Sequence, residues 1–193
     1  MKPLRRTLEG GEPFHDGARE LGATVADFWR WAYSDLAANS TRGLVAEYLV
    51  ASALGVTSRP RLEWDAVDLV IEDVKVEVKC AGYVQSWPQT RPSSIRFDIA
   101  PKAGWDAVTN ATATQAGRAA DVYVFCVHAH AERETLDVLD VAQWEFYVLS
   151  RGTLDERLPS QKTASLSTLL RIGANREAYE ALRDAILIAG RRR

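Results

Sequence analysis

The chain is poor in the features that mark several functional classes. Two of its 193 residues are cysteines, Cys80 and Cys126, and both stand in runs that read as buried strands. They are expected as small apolar core side chains in a reducing cytoplasm, not as a disulfide. No apolar run approaches the roughly 18 residues needed to span a bilayer. The basic N-terminus is not followed by the apolar segment of a signal peptide, so a cytoplasmic protein with no membrane partner is expected. There is no Gly-x-Ser-x-Gly, no P-loop and no dinucleotide glycine pattern, which leaves hydrolases of that type, NTPases and Rossmann enzymes without support. Repeats and low-complexity tracts are missing too. A surplus of positive charge is also lacking, since the formal net charge is −2. That weighs against a general electrostatic grip on nucleic acid and leaves only local clusters to provide one. Lysine is scarce. Five of the 24 basic residues are Lys and the other nineteen Arg, the side chain better suited to bidentate phosphate contact. The tail Arg191-Arg192-Arg193 reads as a solvated terminus.

What is present describes an ordinary globular protein, 47% hydrophobic and 26% charged. The length fits one domain over residues 21–193 behind an irregular arm over 1–20, which is rich in Gly, Pro and charge. A helix is expected over 27–38, with Phe28, Trp29, Trp31, Tyr33 and Leu36 on more than one side. A second is expected over 43–54, capped by Asn39, Ser40 or Thr41 and closed by Gly55. Strands follow at 68–71 and 74–79, separated by Glu72-Asp73 as a tight turn. A third strand is read at 94–99, a helix over the Ala-rich 106–119, and central strands at 121–127 and 144–149. Helices are expected over 165–171 and 176–187. This order predicts an α/β protein with a mixed sheet flanked by helices.

The chemistry starts from Val74-Lys75-Val76-Glu77-Val78-Lys79. In a strand, Lys75, Glu77 and Lys79 share one face and the valines the other. An acid two places before a lysine occurs twice, at Asp73 and at Glu77, and chance supplies about one such pair in a chain of this composition. Position separates the two. Asp73 belongs to the turn, where carboxylates serve local hydrogen bonds, whereas Glu77 and Lys79 reach the strand end beside Cys80-Ala81-Gly82. If Glu72-Asp73 is a turn, Asp68 lies beside Glu77 and Lys79 on the neighbouring strand. Two carboxylates so placed repel unless a cation joins them, which favours a divalent metal with oxygen ligands, Mg²⁺ or Mn²⁺. Glu47 borders the apolar stripe of the second helix, where a carboxylate needs a partner.

A helix glutamate, then Asp68, nine residues to Glu77, then x-Lys79 resembles the PD-(D/E)XK core of restriction enzymes and Holliday-junction resolvases. The match covers roughly residues 41–85, with Val67 where the name-giving proline would stand. The resemblance implies a restriction-endonuclease-like mixed β-sheet flanked by α-helices and a metal-dependent deoxyribonuclease acting on DNA. In it Asp68 and Glu77 would be metal ligands, Lys79 would position the attacking water, Glu47 would match the helix acid, and Gln85 a glutamine that some resolvase-like members carry. Members often act as homodimers because two strands must be cut; no dimer face is legible in the sequence.

Substrate contacts are expected from Tyr83, Ser86, Trp87 and Arg91, in the loop that leaves the active strand. Lys162, ahead of a helix start near Ser165, offers another phosphate contact. His128-x-His130 lacks a third ligand at zinc spacing and reads as two ordinary histidines. Two rival readings stand beside the nuclease. One is a catalytically silent nucleic-acid-binding or scaffolding protein of the same fold. The other is an unrelated α/β protein whose charged face over 75–79 is merely solvated.

Overall fold

The computed structural model describes residues 6–61, 66–102, 105–106, 111–112 and 116–191. In chain order the elements are β1 (Pro13–His15), β2 (Glu20–Thr24), α1 (Val25–Tyr33), α2 (Asn39–Leu54), β3 (Leu69–Ile71), β4 (Val74–Gly82), β5 (Arg96–Asp98), β6 (Trp105–Asp106), β7 (Ala111–Thr112) and β8 (Val122–His128). They continue with β9 (Trp144–Ser150), α3 (Arg151–Arg157), β10 (Thr163–Ser165), α4 (Leu166–Arg171), β11 (Asn175–Glu177) and α5 (Leu182–Gly190). The central sheet has the order β11-β9-β8-β4-β3 and is mixed, because β4 and β8 run parallel while the other neighbours are antiparallel.

Alternation along β8 creates two cores. Val122, Val124 and Cys126 meet Val76, Val50, Leu54, Leu182 and Ile186 on the side of α2 and α5. Tyr123, Phe125 and Val127 meet Phe97, Leu149, Leu154 and Leu169 on the side of α3, α4 and β5. A strand buried on both faces reads as a continuous apolar run, and every residue of β8 is buried. The structure is therefore a mixed α/β sandwich with helices on both faces.

Several sequence expectations shift. The stretch read as an irregular arm contains the β1–β2 hairpin. Residue 94–99 strand character survives as β5, but it pairs with β10 in a separate two-stranded sheet. Half of the helix expected over 106–119 lies outside the described residues; within them, Asp106 and Ala111 pair as strands β6 and β7. Thr112, β-branched, suits the extended backbone it has in β7. The segment from 176, read as helix, begins as β11, which adds an edge to β9 before α5 starts at Leu182. α2 begins at Asn39, with Ala38 as an N-cap that offers no side-chain hydrogen bond. Gly55 closes it in the left-handed region, φ 73°.

Candidate active site

The turn between β3 and β4 is real. Glu72 occupies the left-handed region with φ 55°, and Ile71 pairs with Val74, Val70 with Lys75 and Leu69 with Val76. Extending that register by one residue sets Asp68 across from Glu77. The Asp68 carboxylate accepts the Val78 backbone N–H at 2.7 Å, which ties the residue ahead of β3 to the middle of β4; the strand runs on to Gly82, so Glu77 and Lys79 do not lie at its end as the sequence suggested. On β4, Lys79 Nζ donates to Glu77 Oε1 at 2.5 Å, and the two side chains are only about one-fifth exposed, 18% and 21%. Strand alternation is the reason for that contact, because residues two apart share a face.

Asp68 carries the electrostatic signature of the site. Burial first, and then the negative charge of Glu77, raise its pKa from 3.8 to about 6; Glu47 pushes the same way, while the Val78 N–H and Lys79 oppose. Glu47, buried on α2, is held by Arg61, whose Nε donates to Oε2 at 2.7 Å. Two carboxylates, Glu77 and Glu47, thus act on a third, Asp68. An oxygen-only donor set with surplus negative charge suits a hard divalent cation. Among the described residues no group of three or more His, Cys, Asp or Glu side chains is gathered to hold an ion by itself. A pair of carboxylates is nonetheless the usual protein contribution to Mg²⁺, which keeps several waters.

The structure adds two residues that the sequence pattern did not single out. A small cleft of about 50 Å³ is lined by Glu77 and Lys79 together with Asp98, Lys102 and Tyr123. Lys102 Nζ meets Asp98 Oδ2 at 2.8 Å. That hydrogen bond raises the Lys102 pKa, and the charges of Asp98, Glu77 and Asp68 reinforce the rise against burial. For Asp98 burial works upward, but the Lys102 hydrogen bond, the Ala100 N–H and the charges of Lys102 and Lys79 outweigh it and hold the carboxyl low. Burial and the neighbouring Glu77 push the Tyr123 hydroxyl well up, so it stays protonated. Asp98 sits on β5, which pairs with distant β10 and packs Phe97 against Phe125 of β8. An Asp and a Lys four residues apart give no local warning of that.

Gln85 does not point into this cleft. It is buried, its amide oxygen accepts Arg42 Nη2 at 2.9 Å, and its nitrogen donates to Gly82 O at 2.9 Å and Ser93 Oγ at 3.1 Å. Arg42, on α2, is 2% exposed and also donates to Val84 O at 2.6 Å. Arg133 reaches the same loop from the far side, donating to Gln85 O and Trp87 O at 2.8 and 2.7 Å. The two guanidiniums clamp the loop that leaves β4. Its outward side chains are Ser86, Arg91 and Trp87, the last 51% exposed, while Tyr83 packs against the second core.

Gly82 is required by this clamp, because a Cβ there would lie 2.8 Å from Arg42 Nη1 and 2.9 Å from its Cζ. Gly82→Ala is therefore expected to destabilise by about 1–3 kcal/mol, the usual range for overpacking a filled core. Urea denaturation checks it, and an unchanged midpoint would show that Arg42 yields freely.

Lys162 precedes β10, not a helix. Its carbonyl accepts the Ile99 N–H at 2.9 Å, so its backbone lies beside the end of β5 that carries Asp98. His128 is fully buried against Trp144 with Nε2 on Asp137 O, and His130 bonds Thr135; burial lowers the His128 pKa. Both have structural surroundings. Among the described residues no helix is long and apolar enough to cross a membrane.

A family model described as bacteriophage T4 endonuclease IV matches residues 30–168. That span is more than half of the chain and contains Glu47, Asp68, Glu77, Lys79, Asp98 and Lys102. No curated protein and no solved structure matches.

Proposed function

The chain belongs to the bacteriophage T4 endonuclease IV family, and on that premise we propose that it is a Mg²⁺- or Mn²⁺-dependent endonuclease hydrolysing DNA phosphodiesters at a PD-(D/E)XK-type centre. One observation carries the reading. The register of the β3–β4 hairpin sets Asp68 across from Glu77, two residues from Lys79, and the Asp68 pKa is raised by burial and by that neighbour. In this reading Asp68 and Glu77 would hold the ion, and the chemistry it would supply is Lewis-acid charge at the phosphate and a lowered pKa for a bound water. Lys79, once drawn from Glu77, orients the attacking water and offsets the charge growing on phosphate. Glu47 faces Asp68 from α2 and supports the water shell. Lys102, beside Glu77 and Asp98, adds a second ammonium for a phosphate oxygen. Gln85 acts as a positioning residue through Arg42, holding the loop whose Ser86, Trp87 and Arg91 meet the nucleotides flanking the cut. Tyr83 supports that loop from below, and Lys162 extends the contact along the backbone.

The deciding experiment incubates the full chain with linear and circular DNA, single- and double-stranded, in Mg²⁺, Mn²⁺ or excess EDTA. Cleavage is expected with either metal and none with EDTA. If no form of DNA is cut with either metal, the catalytically silent reading replaces this one; if EDTA leaves the rate unchanged, the metal assignment fails.

A further inference from the structure

β8 carries a single hydroxyl. All its residues, Val122 to His128, are buried, and alternation sends Tyr123, Phe125 and Val127 into the core that Phe97 shares. The Tyr123 ring lies nearly parallel to that of Phe125, with centroids 6.1 Å apart and planes inclined by 23°, and the residue is 5% exposed. Phenylalanine would pack there equally well. Packing therefore accounts for the ring and not for the hydroxyl, which costs stability in a core unless it finds a partner.

Among the described residues no hydrogen bond reaches that hydroxyl. The charges of Arg118 and Asp155 act on it, yet those two are joined to each other at 2.6 Å, and Arg118 gives its other donors to the carbonyls of Ile99 and Leu158. The buried side-chain polar atoms without a partner are Arg42 Nε and His128 Nδ1 among the described residues. The Tyr123 oxygen is not one of them, because it opens onto the cleft that Tyr123 lines with Glu77, Lys79, Asp98 and Lys102. Register fixes that placement: Tyr123 on β8 is the parallel partner of Glu77 on β4, so the two side chains stand beside each other on one face of the sheet.

Three hydrogen-bond donors thus converge on one small space from three parts of the chain. Lys79 comes from β4, Lys102 from the segment after β5, and Tyr123 from β8. A cleft of about 50 Å³ is of the size of a few waters, which suits the oxygens of a phosphate and not a base. The two ammoniums already hold Glu77 and Asp98 and must be drawn from them. The phenol needs no such exchange. We infer that Tyr123 is a further catalytic residue, donating its hydroxyl hydrogen to the non-bridging phosphate oxygen on which charge grows during attack. The inference rests on the nuclease reading. No bond to Tyr123 forms or breaks; a donor held in place before the reaction stabilises developing charge without rearranging. Burial and the neighbouring Glu77 push the phenol well up, so its proton stays available as the pH rises.

The test is single-turnover cleavage of DNA by the full chain in Mg²⁺ or Mn²⁺, run on the wild type, Tyr123→Phe and Tyr147→Phe. Tyr147 is the control, a second phenol of the same core, whose hydroxyl donates to Glu145 at 2.8 Å. Tyr123→Phe is expected to lower the maximal rate on the order of 100-fold and to leave the half-saturating DNA concentration within about threefold, as loss of a transition-state donor does. Its melting temperature should equal or exceed that of the wild type, since no hydrogen bond is lost. Tyr147→Phe should show the reverse, a lower melting temperature with the rate kept. A Tyr123→Phe rate equal to that of the wild type overturns the inference and leaves the nuclease reading intact. A loss confined to the half-saturating concentration, or one accompanied by a lower melting temperature, overturns it as well, making the hydroxyl a binding or a structural group. If the wild type cuts no DNA, the nuclease reading has failed and the inference falls with it.

Discussion

Glu77→Gln and Lys79→Ala are each expected to lower the single-turnover rate of DNA cleavage by about 100- to 1,000-fold, the usual loss when a charged group at a reacting phosphate or acyl centre is removed. Both side chains lie in the cleft with Asp98 and Lys102. They touch each other at 2.5 Å, so they act as a unit, and the double variant should be scarcely worse than either single one. The fold should survive. A partly exposed ion pair contributes about 0–1 kcal/mol to stability, and the strand is held by the valines on its other face, Val74 and Val76 being buried. Unchanged melting temperature with lost cleavage is the expected combination. Cleavage within a few-fold of the wild type would remove Glu77 and Lys79 from the reaction.

Asp68→Asn is expected to stabilise the metal-free protein while abolishing cleavage. In the folded chain the carboxyl holds its proton up to about pH 6, whereas its ordinary value is 3.8. Between those values the folded state binds more protons than the unfolded one, so stability falls as pH rises from about 4 to about 6, and the penalty persists above. The difference corresponds to about 2–3 kcal/mol. Asparagine removes the buried charge and still offers an oxygen to the Val78 N–H. At pH 8 the variant should melt about 4–12 °C higher, given about 2–4 °C per kcal/mol in a chain of this size. Near pH 4 the two proteins should melt together, because the wild-type carboxyl is then protonated in the folded state. A variant no more stable at pH 8, or equally favoured at both pH values, would mean that burial and Glu77 do not burden Asp68. Adding Mg²⁺ should raise the melting temperature of the wild type and leave the variant unmoved.

The local parts of this site are legible in the sequence because local rules produce them. Valine alternating with charge over 74–79 is enough to assign the two faces of β4. The polar pair Glu72-Asp73 marks the turn that brings Asp68 to Glu77. The apolar runs 121–127 and 144–149 mark the central strands. What escapes depends on partners far along the chain. β5 pairs with β10, with Phe97 opposite Ala164, and packs Phe97 on Phe125 of β8, and these distant contacts deliver Asp98 to the cleft. Arg42 reads as one more polar position of a helix, yet it is among the largest buried side chains, because Gly82, forty residues later, leaves room for it. Gln85 matches a motif by its position, but its side chain faces that arginine. Residue 175–177 strand character is hidden by the helical pattern read from 176 onward, which overlaps it. In each case a tertiary contact overrides local propensity.

The order β11-β9-β8-β4-β3 puts the three-residue strand β3 at the margin of the central sheet, and Asp68 immediately precedes it. A centre built at a margin differs topologically from one built inside a tunnel. A tunnel must be threaded, so it selects for free chain termini. A margin can be approached sideways, at any point along a polymer, and the polymer need have no terminus at all. In the nuclease reading proposed above, closed rings and long linear strands would then be equivalent to it, and the choice of cutting position would fall to the loop that Arg42 and Arg133 hold in place.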